Sequence, residues 1–242
     1  LRAQMGDAAP GIVVADTRLA LGALAAWWRG RFAIPLIGVT GSNGKTTVKE
    51  MCAAILREQA RRCGADADPD AAVLATTGNL NNDIGLPMML LRLRSTHRAA
   101  VIEMGMNHSG EIDYLSGIAS PTVALVNNAQ RAHLEGLGSV SEVARAKGEI
   151  FSGLRKDGVA VINADDPRAA LWREMAAAAG IGLECARAFA RAGANLIISD
   201  VNAAALEAAR VEIGALGVQC YARTCDVASE ASVVEFAAAV HA

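Results

Sequence analysis

Five short apolar runs rich in β-branched residues, at 34–40, 71–75, 99–104, 122–127 and 159–163, are each followed by a longer stretch with helical spacing, at 46–62, 84–93, 111–118, 140–154 and 167–179. Near-continuous apolar strands alternating with helices predict an α/β fold: a parallel sheet with helices on both faces and right-handed crossovers. The chain has 242 residues, 52% of them hydrophobic and 20% charged, enough for a sizeable core. A net charge of −2 gives no bulk attraction toward nucleic acid or an anionic membrane. No apolar run reaches the roughly 18 residues of a membrane span. The five cysteines are odd in number and contain no Cys-x-x-Cys pair, which argues against a zinc site or a disulfide framework and fits reduced thiols in a cytoplasm.

Outside this alternation lie two further regions. Residues 16–29 have helical spacing and end in Trp27-Trp28-Arg29 before Gly30, a single helix that reads as a docking helix or the last piece of another unit. The chain opens on Leu1 without an initiator Met or a signal peptide's apolar stretch, so it reads as starting inside a longer protein. Beyond the Ala-rich run at 176–179 the alternation resumes, with helices expected at 180–192, 203–216 and 229–242 and strands at 195–200 and within 218–227. Ser229 is the expected N-cap of the last helix. The expected division is 1–33, 34–179 and 180–242, with all strands in one extended sheet.

The segment Thr40-Gly41-Ser42-Asn43-Gly44-Lys45-Thr46-Thr47 sits between an expected strand and an expected helix. Glycines let the backbone curl so that its N–H groups converge on phosphate oxygens, and a helix N-terminus adds partial positive charge. Lys45 can reach the outer phosphates and the Thr46 hydroxyl can ligate Mg²⁺. The first glycine of the usual G-x-x-x-x-G-K-[ST] pattern is replaced by Val39.

This variant loop resembles that of the Mur ligases and of folylpolyglutamate synthases. Further segments resemble the MurF branch, which adds D-alanyl-D-alanine: Gly78-Asn79-Leu80-Asn81-Asn82-Asp83-Ile84-Gly85-Leu86-Pro87, Glu103-Met104-Gly105-Met106-Asn107-His108, Ala132-His133-Leu134-Glu135-Gly136, Ala146-Lys147-Gly148-Glu149-Ile150-Phe151 and Asn163-Ala164-Asp165-Asp166. The resemblance covers about 16–176. It implies an ATP-dependent, Mg²⁺-dependent ligase of peptidoglycan synthesis, in which a carboxylate of a UDP-MurNAc-peptide becomes an acyl phosphate and the amine of D-Ala-D-Ala displaces phosphate. On that resemblance Gly41, Ser42, Asn43, Gly44, Lys45, Thr46, Thr47, Asn128 and Asn163 hold the nucleotide. Thr46, Glu103, His133 and Lys147 serve the metal, Lys147 as a carbamate. Lys45, His133 and Lys147 act in catalysis, and Thr76, Thr77, Asn79 and Asn82 lie near the muramyl substrate or a second metal. From spacing alone, Lys147 reads as a solvated helix lysine and His133 as a structural histidine.

After about residue 179 the idiom changes. Gly180-Ile181-Gly182-Leu183-Glu184, Leu196-Ile197-Ile198-Ser199-Asp200 and Cys225-Asp226-Val227 resemble a short-chain dehydrogenase/reductase, a Rossmann-like fragment that implies NAD(P) contacts at Asp200 and Asp226. The fingerprint is broken, because Met175 and Ala176 stand where Thr-Gly should open it, and no Tyr-x-x-x-Lys occurs. The expectation is therefore a chimera whose first part binds ATP and whose tail binds no NAD(P). A catalytically inert nucleotide-binding module or an NAD(P)-binding short-chain reductase fragment is the alternative, and completion of the ligation by this chain alone is not expected.

Overall fold

The computed structural model describes residues 11–63, 68, 70–130, 137–178, 186–187, 190–191, 193–225 and 229–240. The elements run α1 (Thr17–Arg29), β1 (Leu36–Thr40), α2 (Lys45–Arg62), β2 (Val73–Ala75), α3 (Gly85–Leu90), β3 (Ala99–Glu103), α4 (Glu111–Ala119), β4 (Val123–Val126), α5 (Val140–Gly148), β5 (Val159–Ile162), α6 (Ala169–Ala178), β6 (Leu196–Ile198), α7 (Ala203–Gly214), β7 (Cys220–Ala222) and α8 (Glu230–Val240). The helix expected over 140–154 ends at Gly148 and tightens into a 3₁₀ turn, Glu149–Phe151.

β1 to β5 form one parallel sheet in the order β2-β3-β1-β4-β5. β3 is buried along its whole length, as expected of a strand covered on both faces. Alternate side chains enter two cores. Val39, Val73 and Val101 pack with Ala53 of α2 on one face. Leu36, Ala100, Ile102, Ala124 and Val126 join α1 and the helices α3 to α6 on the other. Trp172 of α6 is fully buried there, and its indole N–H donates to the Ala144 carbonyl at 2.8 Å.

α1 belongs to this second core. Asp16 caps it, accepting from the N–H groups of Arg18 and Leu19, and its Ala25 is fully buried. The buried Arg29 guanidinium donates to the carbonyls of Ala119, Phe32 and Ile34. The Trp28 indole donates to Leu93 O.

One expectation is corrected. β6 and β7 do not extend the main sheet but form a parallel pair of their own. They are three residues each, and their apolar side chains are used locally: Leu196, Ile198 and Cys220 pack with Ala186, Ala190 and Ile213. On the other face of the pair, Ile197 and Tyr221 are about half exposed. Ser229 stands at the start of α8 as expected, its hydroxyl accepting from Ser232 N at 3.3 Å. No helix among the described residues is long and apolar enough to cross a membrane.

Candidate nucleotide and metal site

β1 is central, and the chain leaves it toward β2 on one side and later returns to β4 on the other. Ligands bind at the carboxyl ends of strands beside such a reversal, and residues 40–47 lie there. Gly44 takes φ 74°, a left-handed conformation natural to glycine, and a Cβ there would come within 3.1 Å of Asn127 Nδ2. No side chain caps α2. The N–H groups of Lys45, Thr46 and Thr47 precede the first intrahelical bond, Val48 N to Gly44 O, and point out of the helix start.

The loop is held from the β4 side. Ser42 N donates to Asn128 O and Asn43 N to Asn128 Oδ1, both at 3.0 Å. The amides of Asn127 and Asn128 donate back to Asn43 O at 2.9 and 3.1 Å. Gln130 accepts from Asn43 Nδ2 at 2.6 Å, and its N–H donates to Ser42 Oγ. The Lys45 ammonium donates to Gly41 O at 2.9 Å, folded over its own loop. Of these residues Asn127 and Gln130 were not anticipated, and no sequence motif signals them. Asn128 acts through both its backbone and its side chain.

Behind the loop, Glu103 at the end of β3 is buried and bridges two elements. Its carboxylate accepts from the Thr46 hydroxyl and from Asn81 Nδ2, each at 2.9 Å. Thr46 and Glu103 are thus adjacent, as expected of two ligands of one ion. Asn81 was passed over in favour of Asn79 and Asn82 from the same segment. Asn82 Oδ1 accepts from Gly85 N and so caps α3. Thr76 is buried, its Oγ1 accepting from Glu103 N at 2.9 Å. Thr77 Oγ1 accepts from Arg92, and Asn79 O accepts from Asn81 N. A cleft of about 840 Å³ opens beside Lys45 and is lined by Asn81, Asn82, Asn107, Glu111 and Arg18 among others.

Lys147 is 1% exposed. Burial, and then the nearby Lys45 charge, push its ammonium down to about 7. Among the described residues it has no hydrogen-bond or ion-pair partner. Asn163 N donates to Val126 O, and Asn163 Oδ1 accepts from Asp165 N at 3.1 Å, which builds the turn after β5 beside the loop after β4. Asp166, buried and not anticipated, ties the two loops by accepting from Ala129 N at 2.9 Å. His133 lies outside the described residues.

Magnesium takes oxygen donors, typically one or two carboxylates completed by phosphate oxygens and water. No cluster of three His, Cys, Asp or Glu occurs among the described residues. A hydroxyl and a carboxylate oxygen at 2.9 Å beside an open helix start fit that mode. The same helix start, with Lys45, fits a polyphosphate.

A sequence profile of the Mur ligase middle domain matches residues 39–215. The chain belongs to the Mur ligase middle-domain family. The match runs past residue 179, where the sequence placed a boundary. The chain is 52% identical over 165 residues to the UDP-N-acetylmuramoyl-tripeptide–D-alanyl-D-alanine ligase of Haemophilus influenzae, covering 68% of this chain and 35% of that protein. The Escherichia coli ligase of the same name is 51% identical over 166 residues, covering 69% and 34%. Among solved structures, MurF from Acinetobacter baumannii superposes with a TM-score of 0.63 at 47% identity, covering 69% of this chain and 35% of that one. The MurF ligase of Thermotoga maritima in complex with ADP gives 0.58 at 32% identity, covering 69% and 36%. The chain thus spans about a third of the length of the relatives it matches.

Proposed function

We propose that residues 34–179 are the ATP- and Mg²⁺-binding part of a peptidoglycan ligase that joins D-Ala-D-Ala to UDP-MurNAc-tripeptide, working in the cytoplasm. The observation that carries this reading is the uncapped start of α2, with Lys45 beside it and the Thr46–Glu103 pair behind it. The relatives' names supply the substrates.

ATP with Mg²⁺, when bound, would supply the γ-phosphoryl group: the acceptor carboxylate oxygen bonds phosphorus as the bond to ADP breaks, and an amine then forms the amide C–N bond at the acyl carbon as C–O breaks, releasing phosphate and a proton. The chain's own residues position charge for this chemistry. The N–H groups of Lys45, Thr46 and Thr47 and the Lys45 ammonium hold phosphate oxygens, while Gly41, Ser42 and Asn43 shape the loop. Thr46 and Glu103 hold the cation. Asn128 and Asn163 stand at the β4 and β5 ends, on the side assigned to the base, and His133 is assigned to the outer phosphate and metal. Thr76, Thr77, Asn79 and Asn82 are assigned to the muramyl side, with Asn82 lining the cleft.

Lys147 fits a carbamate. An amine held near 7 is largely neutral just above that pH, and the neutral form adds CO₂, forming an N–C bond and releasing one proton. The product is an anion able to face Lys45 and a metal. Calorimetry with a non-hydrolysable ATP analogue tests the core of the reading. Binding that strengthens with Mg²⁺ and weakens in Lys45→Ala is the expected result, and equal affinity in the two proteins refutes it.

A second reading concerns the tail. The separate β6–β7 pair supports 180–242 as a unit of its own, resembling a short-chain reductase fragment. On that reading, a chain ending at Ala178 keeps the analogue affinity of the full chain.

A further inference from the structure

Lys49 has no place in the chemistry above, yet it is one of the few charged side chains buried in the molecule, 3% exposed. An ammonium withdrawn from water is costly unless it is paired and hydrogen-bonded. Lys49 sits on α2 three residues after Thr46 and four after Lys45, on the flank that faces β2. Its Nζ donates to the Thr76 carbonyl at 2.8 Å and to the carboxylate of Glu50, whose own side chain is exposed.

Thr76 is where the β2–β3 ladder runs out. The paired register ends at Ala75 and Val101, and Thr76 N still donates to Val101 O at 3.0 Å. Beyond that point a side chain takes over, Thr76 Oγ1 accepting from Glu103 N at 2.9 Å. Glu103 in turn accepts from the Thr46 hydroxyl at 2.9 Å, and Thr46 is back on α2. Lys49, Thr76, Glu103 and Thr46 therefore close a hydrogen-bonded ring joining α2 to the ends of β2 and β3. A methionine could fill the space of the lysine stem, but it could not hold the Thr76 carbonyl.

We propose that Lys49 is a positioning residue for the divalent cation: it fixes the Thr76 peptide, through it the Glu103 backbone, and so the spacing of the Glu103 carboxylate from the Thr46 hydroxyl. The inference rests on the reading of Thr46 and Glu103 as cation ligands. Groups that orient ligands without touching the ion typically change metal affinity by roughly 10- to 100-fold when lost.

The test is an electron paramagnetic resonance titration of Mn²⁺ into the full chain with ADP, using wild type, Lys49→Met, Glu103→Gln and the double variant. Lys49→Met is expected to weaken Mn²⁺ binding roughly 10- to 100-fold with metal-free ADP affinity unchanged, and to add nothing once Glu103 is Gln. Thr76→Val breaks the same ring without uncovering a charge, is expected to lose affinity in the same direction, and decides the matter if Lys49→Met does not fold. Wild-type Mn²⁺ affinity in Lys49→Met or Thr76→Val, with Glu103→Gln weakened, overturns the role of the ring alone. Additive losses in the double variant do the same. Wild-type affinity in Glu103→Gln overturns both the ring and the ligand assignment beneath it.

Discussion

Helices α2 and α7 each follow a strand of a parallel sheet, and they begin in opposite ways. At α2 the N-cap is a left-handed glycine, no side chain takes the free N–H groups, and Lys45 stands in the first turn. At α7 the Asn202 side chain accepts from Ala205 N at 3.1 Å, and Asp200 Oδ1 accepts from Asn202 N at 2.8 Å. At the other described helices, carboxylate, amide or hydroxyl oxygens of Asp16, Asn82, Glu149, Ser139, Asp166 and Ser229 accept from N–H groups at or beside the starts of α1, α3, α4, α5, α6 and α8; α4 shares the left-handed glycine N-cap of α2, Gly110, but there Glu149 takes the N–H groups. Strand–turn–helix topology does not by itself make an anion site. An unclaimed helix start with a cation beside it does. The sheets differ too: β3 is wholly buried, while β6 alternates between half-buried and exposed.

The largest effect expected is on folding. Trp172→Ala empties a fully buried site and removes the indole's bond to the Ala144 carbonyl, which costs on the order of 3–5 kcal/mol. If the two regions are as separate as their sheets, amide exchange accelerates in β1 and β3 and not in β6 and β7. Equal loss of protection in both makes them one cooperative unit and breaks the comparison. Next in size is Lys45→Ala, which removes a charge-assisted contact and should weaken ATP-analogue binding by on the order of 1.5–3 kcal/mol, tenfold or more, in calorimetry.

The sequence made the main sheet legible because its strands are apolar on both faces and its helices long. The glycine turn at 40–47 was legible for a related reason: its residues are adjacent in the chain, so their geometry is local. The ring through Lys49 was not, since it joins residues up to 57 positions apart, such as Thr46 and Glu103, and a helix lysine looks solvated until the fold buries it. Lys147 shows the same limit: spacing reads it as solvated, and the fold leaves it 1% exposed. The tail misled because strand–helix alternation says nothing about which edge a strand joins. The three-residue strands β6 and β7 pair with each other and not with β5.

A smaller, pH-dependent effect sharpens the contrast between Lys147 and an ordinary lysine. The folded chain holds this ammonium down to about 7, below the unfolded value near 10.4. Between those values the unfolded chain binds more protons than the folded one, so stability rises with pH. Below about 7 both states are protonated and the burial penalty is felt in full; above the unfolded value it is gone. The rise is about 1.4 kcal/mol per pH unit at most. Urea midpoints from pH 7 to 10 in CO₂-free buffer should therefore climb more steeply in wild type than in Lys147→Met, and parallel curves would remove the basis for the carbamate.

The smallest effect belongs to the tail and tests the comparison most directly. Asn202→Ala uncaps α7 and should cost about 1 kcal/mol of local stability, seen as faster exchange in α7. If an open helix start were sufficient for phosphate, this variant would gain affinity for ATP or inorganic phosphate. No gain is expected. The first turn of α7 is Ala203-Ala204-Ala205 with no lysine in the position of Lys45, and the Asp200 carboxylate accepts from Asn202 N beside the helix start. Two like charges there repel, and the partial charge of a helix end, worth about 0.3–1 kcal/mol when exposed, does not overcome them. The broken fingerprint at Met175 and Ala176 predicts no NADH fluorescence enhancement by the tail, in wild type or variant. Saturable binding of phosphate or NADH by Asn202→Ala would show that the cap alone separates the two helices, and that the lysine and the glycine turn matter less than argued.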